Sequence, residues 1–143
     1  MNMHKIVICL LAFTALSSCK PRIRSASISS PEDIPGKWKL IGILQDTSTI
    51  DEEFGEQKPF IVINNAKNQL QGFSGCNSFS GGIEAENDSI KILPLTATQI
   101  GCSKKGEGIF FSQLAKTNRF EVGRDSLKFL ANHTVLLSFA RNR

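Results

Sequence analysis

Two cysteines and one histidine are the side chains in the body of the chain with the most reactive chemistry. Cys76 and Cys102 lie in its second half, and His133 is the only histidine after His4. In an exported domain, two thiols are first interpreted as a disulfide. One alternative is a metal site, although no C-x-x-C or histidine pairing would complete a tetrahedral shell. The other is a cysteine–histidine nucleophile, which requires His133 to meet a cysteine in space.

A run of three carboxylates, Asp51-Glu52-Glu53, is the only other group with an arrangement that suggests acid–base chemistry. An acid–base pair needs two carboxylates held in different environments around a substrate. A run of like charges in a polar stretch is more often solvated. We therefore predict an exposed loop tip here, and we expect no catalytic residues and no enzymatic activity.

Residues 72–82, GFSGCNSFSGG, are the most distinctive segment. Four glycines and an asparagine in eleven residues imply positive-φ turns or close approach of neighbouring backbones. The segment does not match the nucleophile elbow G-x-S-x-G, because Cys76 occupies the position of the second glycine. It also lacks the dinucleotide-binding and phosphate-loop patterns. We predict a shaped turn and no cofactor.

The first nineteen residues, MNMHKIVICLLAFTALSSC, have the layout of a secretory signal. The apolar run 6–16 would span about 16 Å as a helix, which is too short for a stable membrane anchor. Residues 16–19, Leu-Ser-Ser-Cys, resemble the bacterial lipobox. That resemblance implies cleavage before Cys19 and acylation of this cysteine, and acyl chains hold a protein at a bilayer. The alternative is a secreted protein that is cleaved elsewhere, with Cys19 as a spare thiol.

The chain is therefore expected to contain a signal peptide (1–18), a lipidated cysteine with a flexible tether (19–34), and one domain (35–143). The tether is polar and rich in proline and serine. We expect the mature protein in the bacterial cell envelope, on the membrane through its N-terminal lipid. Lys20 stands where many lipoproteins of the inner membrane carry aspartate, which favours the outer membrane.

The charge pattern argues against one class of partner. The formal net charge is +4 over 143 residues, and the basic residues are scattered along the chain. Nucleic-acid binding would favour basic side chains clustered on one element, with aromatic residues between them. We therefore expect no nucleic-acid partner and a monomeric domain.

Short apolar runs separated by turn residues predict a sheet-rich domain. The predicted strands are 38–44, 60–63, 70–74, 83–86, 89–93, 120–122, 127–130 and 135–140. Segment 107–117 instead places Phe110, Phe111 and Leu114 at helical spacing, with Glu107 at its start. This order predicts an α+β fold, mostly antiparallel β.

The aromatic residues are almost all phenylalanine: ten Phe, one Trp and no Tyr. These rings have two possible uses. They fill a core, or some of them line a cavity for an acyl chain or another apolar ligand. The sequence leaves both open.

Five segments resemble the META domain family of bacterial lipoproteins. They are residues 35–40 (PGKWKL), 75–81 (GCNSFSG), 98–102 (TQIGC), the helix 107–114, and the closing hairpin 127–141. Ile100 and Phe79 replace the family's usual methionine and frequent tyrosine. The resemblance implies a partly open β-barrel, or curled sheet, of about eight strands with one helix. It implies no known activity, only a link to envelope stress and antibiotic tolerance.

We expect a non-catalytic, membrane-anchored domain that binds an apolar ligand or a protein partner. The alternatives are a rigid, disulfide-linked module that docks on another envelope protein, and a hydrolytic or thiol enzyme. The candidate motif or binding residues are Gly75, Cys76, Asn77, Phe79, Ser80, Gly81, Trp38 and Thr98.

Overall fold

The computed structural model describes residues 30–44 and 49–142 of the chain. The predicted signal peptide, Cys19 and most of the predicted tether lie outside these residues. Within them, no helix is both long enough and apolar enough to cross a membrane. The elements are β1 (Gly36–Ile43), α1 (Ile50–Phe54), β2 (Phe60–Asn64), β3 (Gln69–Phe73), β4 (Ser78–Glu86), β5 (Ser89–Ala97), α2 (Gly106–Lys116), β6 (Arg119–Val122), β7 (Ser126–Ala131) and β8 (Thr134–Arg141).

The eight strands form one antiparallel sheet in chain order, and β8 pairs back with β1, so that the sheet curls into a ring. The strand pairing around the ring is shortest between β5 and β6. Only Ser89 of β5 pairs with Arg119 of β6, whereas the other neighbouring strands pair over four or more residues. The prediction of a mostly antiparallel, curled sheet of eight strands with one main helix is confirmed. The ring closes, and the expected opening corresponds only to the short pairing of β5 with β6.

The core lies inside the ring and under α2. Alternation along the strands puts Trp38 and Leu40 of β1 inside, while Lys37 and Lys39 point outward. Phe110 and Leu114 of α2 are buried against the sheet, as the helical spacing predicts. Burial of these apolar side chains makes the main favourable contribution to the free energy of folding, at about 25 cal/mol per Å² of apolar surface removed from water.

The folded unit begins earlier than the predicted tether boundary suggests. A short 3-10 turn spans Pro31–Asp33, and Ile34 is completely buried. The indole nitrogen of Trp38 donates a hydrogen bond to the Ile34 carbonyl oxygen at 2.8 Å. The folded domain therefore includes Ile34, which the predicted boundary at residue 35 left out.

The predicted loop at Asp51-Glu52-Glu53 is instead the first turn of α1, so that prediction was wrong. Thr49 and Glu52 form a capping box at its start. The hydrogen bonds that Glu52 receives from the backbone and the side chain of Thr49 hold the pKa of this exposed carboxyl below its usual value. Three acidic residues at a helix N-terminus also suit the helix dipole, which gives the run a structural role.

Strands β4 and β5 are longer than predicted. Residues 78–82 belong to β4 rather than to the predicted turn, because pairing with β3 and β5 outweighs the weak strand propensity of serine and glycine. At Gly81, a Cβ atom would lie 2.8 Å from the Pro94 carbonyl oxygen, so only glycine fits. β5 continues past Pro94, which a strand edge without a ladder partner tolerates.

Candidate functional site

A tight turn, residues 74–77, joins β3 to β4 and brings the predicted motif together. The Ser74 and Asn77 main chains are linked by a hydrogen bond of 2.8 Å, and the Ser74 hydroxyl accepts one from the Asn77 N–H at 2.9 Å. Gly75 has φ +97°, and a Cβ there would lie 2.5 Å from the Phe54 ring. Both facts require glycine at this position.

The Asn77 side chain is almost completely buried and uses both ends of its amide. Its Oδ1 accepts hydrogen bonds from the Thr98 hydroxyl and the Ile100 N–H, both at 2.8 Å. Its Nδ2 donates to Glu107 Oε2 at 3.0 Å and to the Ile100 carbonyl at 3.2 Å. Because the Ile100 N–H can only donate, the orientation of the amide is fixed. Asn77 thus joins the 74–77 turn, the segment after β5 and the start of α2.

Cys76 and Cys102 form a disulfide, as the sequence predicts. It links the 74–77 turn to the segment before α2 and closes a loop with a sequence separation of 26 residues. On the chain-entropy model, a loop of this length stabilises a fold by about 3 kcal/mol. Both cysteines are only partly buried.

Glu107 completes the group, which we call the Asn77 cluster: Ser74, Cys76, Asn77, Thr98, Ile100, Cys102 and Glu107. Its Oε1 accepts a hydrogen bond from the Ser74 hydroxyl, and its Oε2 lies 3.0 Å from Cys102 Sγ. The sequence pattern predicted no role in a site for either side chain: Ser74 lies within the segment 72–82 but was not a candidate residue, and Glu107 was expected only to begin a helix. The available signal was that Glu107 is the sole acidic residue in the first turn of α2.

The cluster does not suit the two alternative chemistries considered for the cysteines. Ligand atoms of Cys76, Cys102 and Glu107 lie within 4.8 Å of one another. Both sulfurs are bonded to each other, however, and the Asn77 Nδ2, which is a donor, lies 3.3–3.6 Å from them, which disfavours a cation. His133 lies exposed in the turn between β7 and β8. In the described part of the chain, no hydrogen bond joins it to a cysteine.

The other candidate residues lie outside the cluster. Trp38 and Phe79 are core residues, and the Phe79 ring packs on Phe110 and Phe111 of α2. Ser80 lies in β4, where its carbonyl accepts a hydrogen bond from the Thr96 hydroxyl. The sequence motif is therefore partly a hydrogen-bonded cluster and partly strand and core.

A second feature lies where β5 leaves β6. An apolar depression with a volume of about 470 Å³ opens between the second half of β5 and one side of α2. We call it the β5–α2 groove; its lining residues are Ile92, Leu93, Pro94, Leu95, Ala97, Phe111 and Ala115. Past Ser89, β5 has no described strand partner on its β6 side. The groove thus combines apolar side chains with a strand edge that no other strand of residues 30–44 and 49–142 covers.

Comparisons with known proteins agree with this architecture. An NMR structure of a protein from Burkholderia xenovorans is similar with a TM-score of 0.59 and 19% identity, over 75% of this chain and 81% of that chain. A crystal structure of a DUF4847 family protein from Bacteroides vulgatus has a TM-score of 0.59 and 13% identity, over 77% and 94% of the two chains. At these identities the likeness concerns the fold alone.

The search of curated proteins found no match. The model of one family, described as the META domain, matches residues 32–143, which is most of the chain and begins close to the buried Ile34. With the eight-stranded ring, the glycine-rich turn and the cysteine pair already in place, this chain belongs to the META domain family.

Proposed function

We propose that this protein is a non-catalytic lipoprotein of the bacterial envelope whose META domain binds an apolar ligand in the β5–α2 groove. Acyl chains on Cys19 hold it at the membrane, the outer rather than the inner one, and the domain serves tolerance of envelope stress. The observation that carries the ligand proposal is that the apolar groove lies where β5 and β6 pair at only one position.

The size and lining of the groove support this proposal. Small-molecule sites are typically concave, mostly apolar and about 300–1,000 Å³, with a few polar groups that fix orientation. The groove volume of about 470 Å³ falls in that range. Leu93 and Phe111 supply apolar surface, and the β5 main chain, which past Ser89 pairs with no described strand on its β6 side, supplies donors and acceptors. A fatty acyl chain with a polar head fits both features.

Filling the groove tests the proposal. Ala115 is exposed and lines the groove, so Ala115→Trp should occupy ligand space without removing a core contact. We expect the affinity for a fluorescent fatty acid, measured by titration, to fall about tenfold or more, which corresponds to about 1.4 kcal/mol. Ser112→Trp adds the same ring to an exposed position of α2 that does not line the groove, and should leave the affinity unchanged. Equal affinities in both variants, or no binding by the unmodified chain, would refute the ligand proposal.

The lipid anchor is tested separately. Cys19→Ala removes the thiol that would be acylated, and a protein without acyl chains should move from the membrane pellet to the soluble fraction when cells are fractionated. Cys9→Ala is the matched control, because Cys9 lies within the apolar run that the signal peptidase would remove. Retention of the Cys19→Ala protein on membranes would contradict the anchor.

A second candidate function is docking on another envelope protein through the disulfide-linked loop. The observation in its favour is Ile100, which is 63% exposed although Asn77 holds its backbone rigidly. An apolar side chain on a rigid loop is a typical interface anchor. A photo-reactive residue placed at Ile100 should crosslink to one partner in intact cells, and crosslinks to no protein would count against this function.

A further inference from the structure

We propose that the Cys76–Cys102 disulfide is a reversible thiol–disulfide exchange site for an external dithiol or disulfide. In this site Glu107 takes the proton from Cys102 when the bond re-forms. The proposal goes beyond ligand binding in the groove and does not depend on it. It rests on the polar groups that surround the two sulfurs.

The first observation is the placement of the Glu107 carboxylate. Its Oε2 lies 3.0 Å from Cys102 Sγ. A sulfur in a disulfide carries no proton, so it donates no hydrogen bond to this oxygen. After reduction, the Cys102 thiol would find a proton acceptor already within reach. The Ser74 hydroxyl and the Asn77 amide hold that acceptor in place.

The second observation is the Asn77 amide. Its Nδ2 lies 3.3 Å from Cys102 Sγ and 3.6 Å from Cys76 Sγ, and its orientation is fixed by the Ile100 N–H. Its two N–H groups now donate to Glu107 and to the Ile100 carbonyl, and either can share its hydrogen with a thiolate on the nearer sulfur. A disulfide that serves only as a crosslink requires neither a proton acceptor nor a thiolate donor beside it. Both cysteines are partly exposed, so an external sulfur can approach them.

The exchange balances as follows for a reduced protein and an external disulfide R–S–S–R. The Cys76 thiolate attacks one sulfur of R–S–S–R, which forms a Cys76–S–R mixed disulfide and releases R–S⁻. Glu107 then accepts the proton of Cys102, and the Cys102 thiolate attacks Cys76 Sγ. The Cys76–Cys102 bond forms and the second R–S⁻ leaves. Two electrons pass from the protein to the partner. The two R–S⁻ become two R–SH by taking the proton that Glu107 gives up and the proton that Cys76 lost to water when its thiolate formed.

The test is the resolution of the mixed disulfide in the full chain. Reduced protein is mixed with oxidised glutathione, quenched with acid and analysed by intact-mass spectrometry. In the wild type, the glutathione adduct should hardly accumulate. In Glu107→Gln it should accumulate, because resolution is slowed about 100-fold, the low end of general-base effects.

The pH profile separates proton transfer from a structural effect. With Glu107 as the base, resolution should be nearly constant from about pH 6 to pH 8. In Glu107→Gln it should rise about tenfold per pH unit, because it then depends on the fraction of Cys102 that is thiolate, which grows with pH below the pKa of the thiol. The other ionisable groups on the elements beside Glu107 are three acidic residues of α1 and three lysines before or within α2: Asp51, Glu52, Glu53, Lys104, Lys105 and Lys116.

Two further variants complete the test. Glu121→Gln removes the same charge at an exposed strand position, and its mixed disulfide should resolve at the wild-type rate. Ser74→Ala removes a hydrogen bond that holds the Glu107 carboxylate but keeps this proton acceptor. Its mixed disulfide should therefore resolve more slowly than in the wild type, with the wild-type pH profile. This variant replaces Glu107→Gln in the test if Glu107→Gln does not fold. Equal rates and pH slopes in the Glu107→Gln and wild-type proteins would overturn the proposal. So would a disulfide that dithiothreitol reduces only at the rate of global unfolding.

Discussion

Replacing Asn77 with alanine is expected to destabilise the domain by about 3 kcal/mol. The substitution removes four side-chain hydrogen bonds and leaves the partly buried Glu107 carboxylate without its amide donor. A hydrogen bond to a charged group contributes about 1.5–3 kcal/mol, and a buried partner left unsatisfied adds a desolvation cost. Urea unfolding followed by the fluorescence of Trp38 measures the free energy directly.

Two comparisons make the Asn77 prediction specific. Asn142→Ala changes the same residue type at an exposed position near the end of the described chain, and should alter stability by less than about 0.5 kcal/mol. Asn77→Asp keeps the shape of the side chain but places a carboxylate against Glu107. The stability that this variant loses at pH 7 should therefore be regained in part as the pH falls and the pair of carboxylates takes up a proton. A loss below about 1 kcal/mol for Asn77→Ala would show that the cluster contributes little to stability.

Replacing Trp38 with alanine is expected to cost about 4 kcal/mol, which is a large part of the stability of a domain this size. The indole ring is completely buried and holds the Ile34 carbonyl through a 2.8 Å hydrogen bond. The Arg141 guanidinium lies over the ring, 4.1 Å from its centroid, and donates to the carbonyls of Asp33 and Pro35. Loss of the ring should therefore also release the segment that enters the sheet.

The size of the Trp38 effect is best judged against Trp38→Phe. Phenylalanine keeps an aromatic ring but loses the donor to Ile34, so we expect a smaller cost, about 1–2 kcal/mol. Because Trp38 is the only tryptophan, unfolding of both variants must be followed by circular dichroism. Equal stabilities of the alanine and phenylalanine variants would contradict the importance of packing at this position.

The regular elements were largely predictable because each depends on neighbours in sequence. Alternation in β1 and the 3.6-residue spacing of Phe110 and Leu114 are local signals. β4 was missed in part because its glycines and serines indicate turns, and only β3 and β5 make them a strand. The extension of β5 past Pro94 depends likewise on β4, because residues 95–97 pair with residues 79–81 of that strand.

The Asn77 cluster could be predicted only in its cysteine pair. A cysteine forms a disulfide only with another cysteine, so the pairing of the two could be predicted without knowledge of the fold. Ser74 and Glu107 are 33 residues apart, and either has many polar residues as possible partners. Their meeting depends on where α2 begins relative to the 74–77 turn, which packing against α1 decides: at Gly106, a Cβ would lie 2.6 Å from the Phe54 ring.

Helix α2 connects the two candidate sites. Its first turn carries Glu107 of the Asn77 cluster, and its later turns carry Phe111 and Ala115 of the β5–α2 groove. The contacts of Glu107 therefore fix the helix that forms one wall of the groove. Variants that loosen the cluster should accordingly be examined for ligand affinity as well as stability.

The most direct test of the central claim is photo-crosslinking of the full chain with a fatty acid that carries a diazirine on its acyl tail, followed by peptide mass spectrometry. Apolar ligand binding in the β5–α2 groove predicts adducts concentrated on residues 92–97 of β5 and on Phe111 and Ala115, and competition by unlabelled fatty acid. Adducts spread over the surface, or adducts that unlabelled fatty acid does not displace, would contradict it.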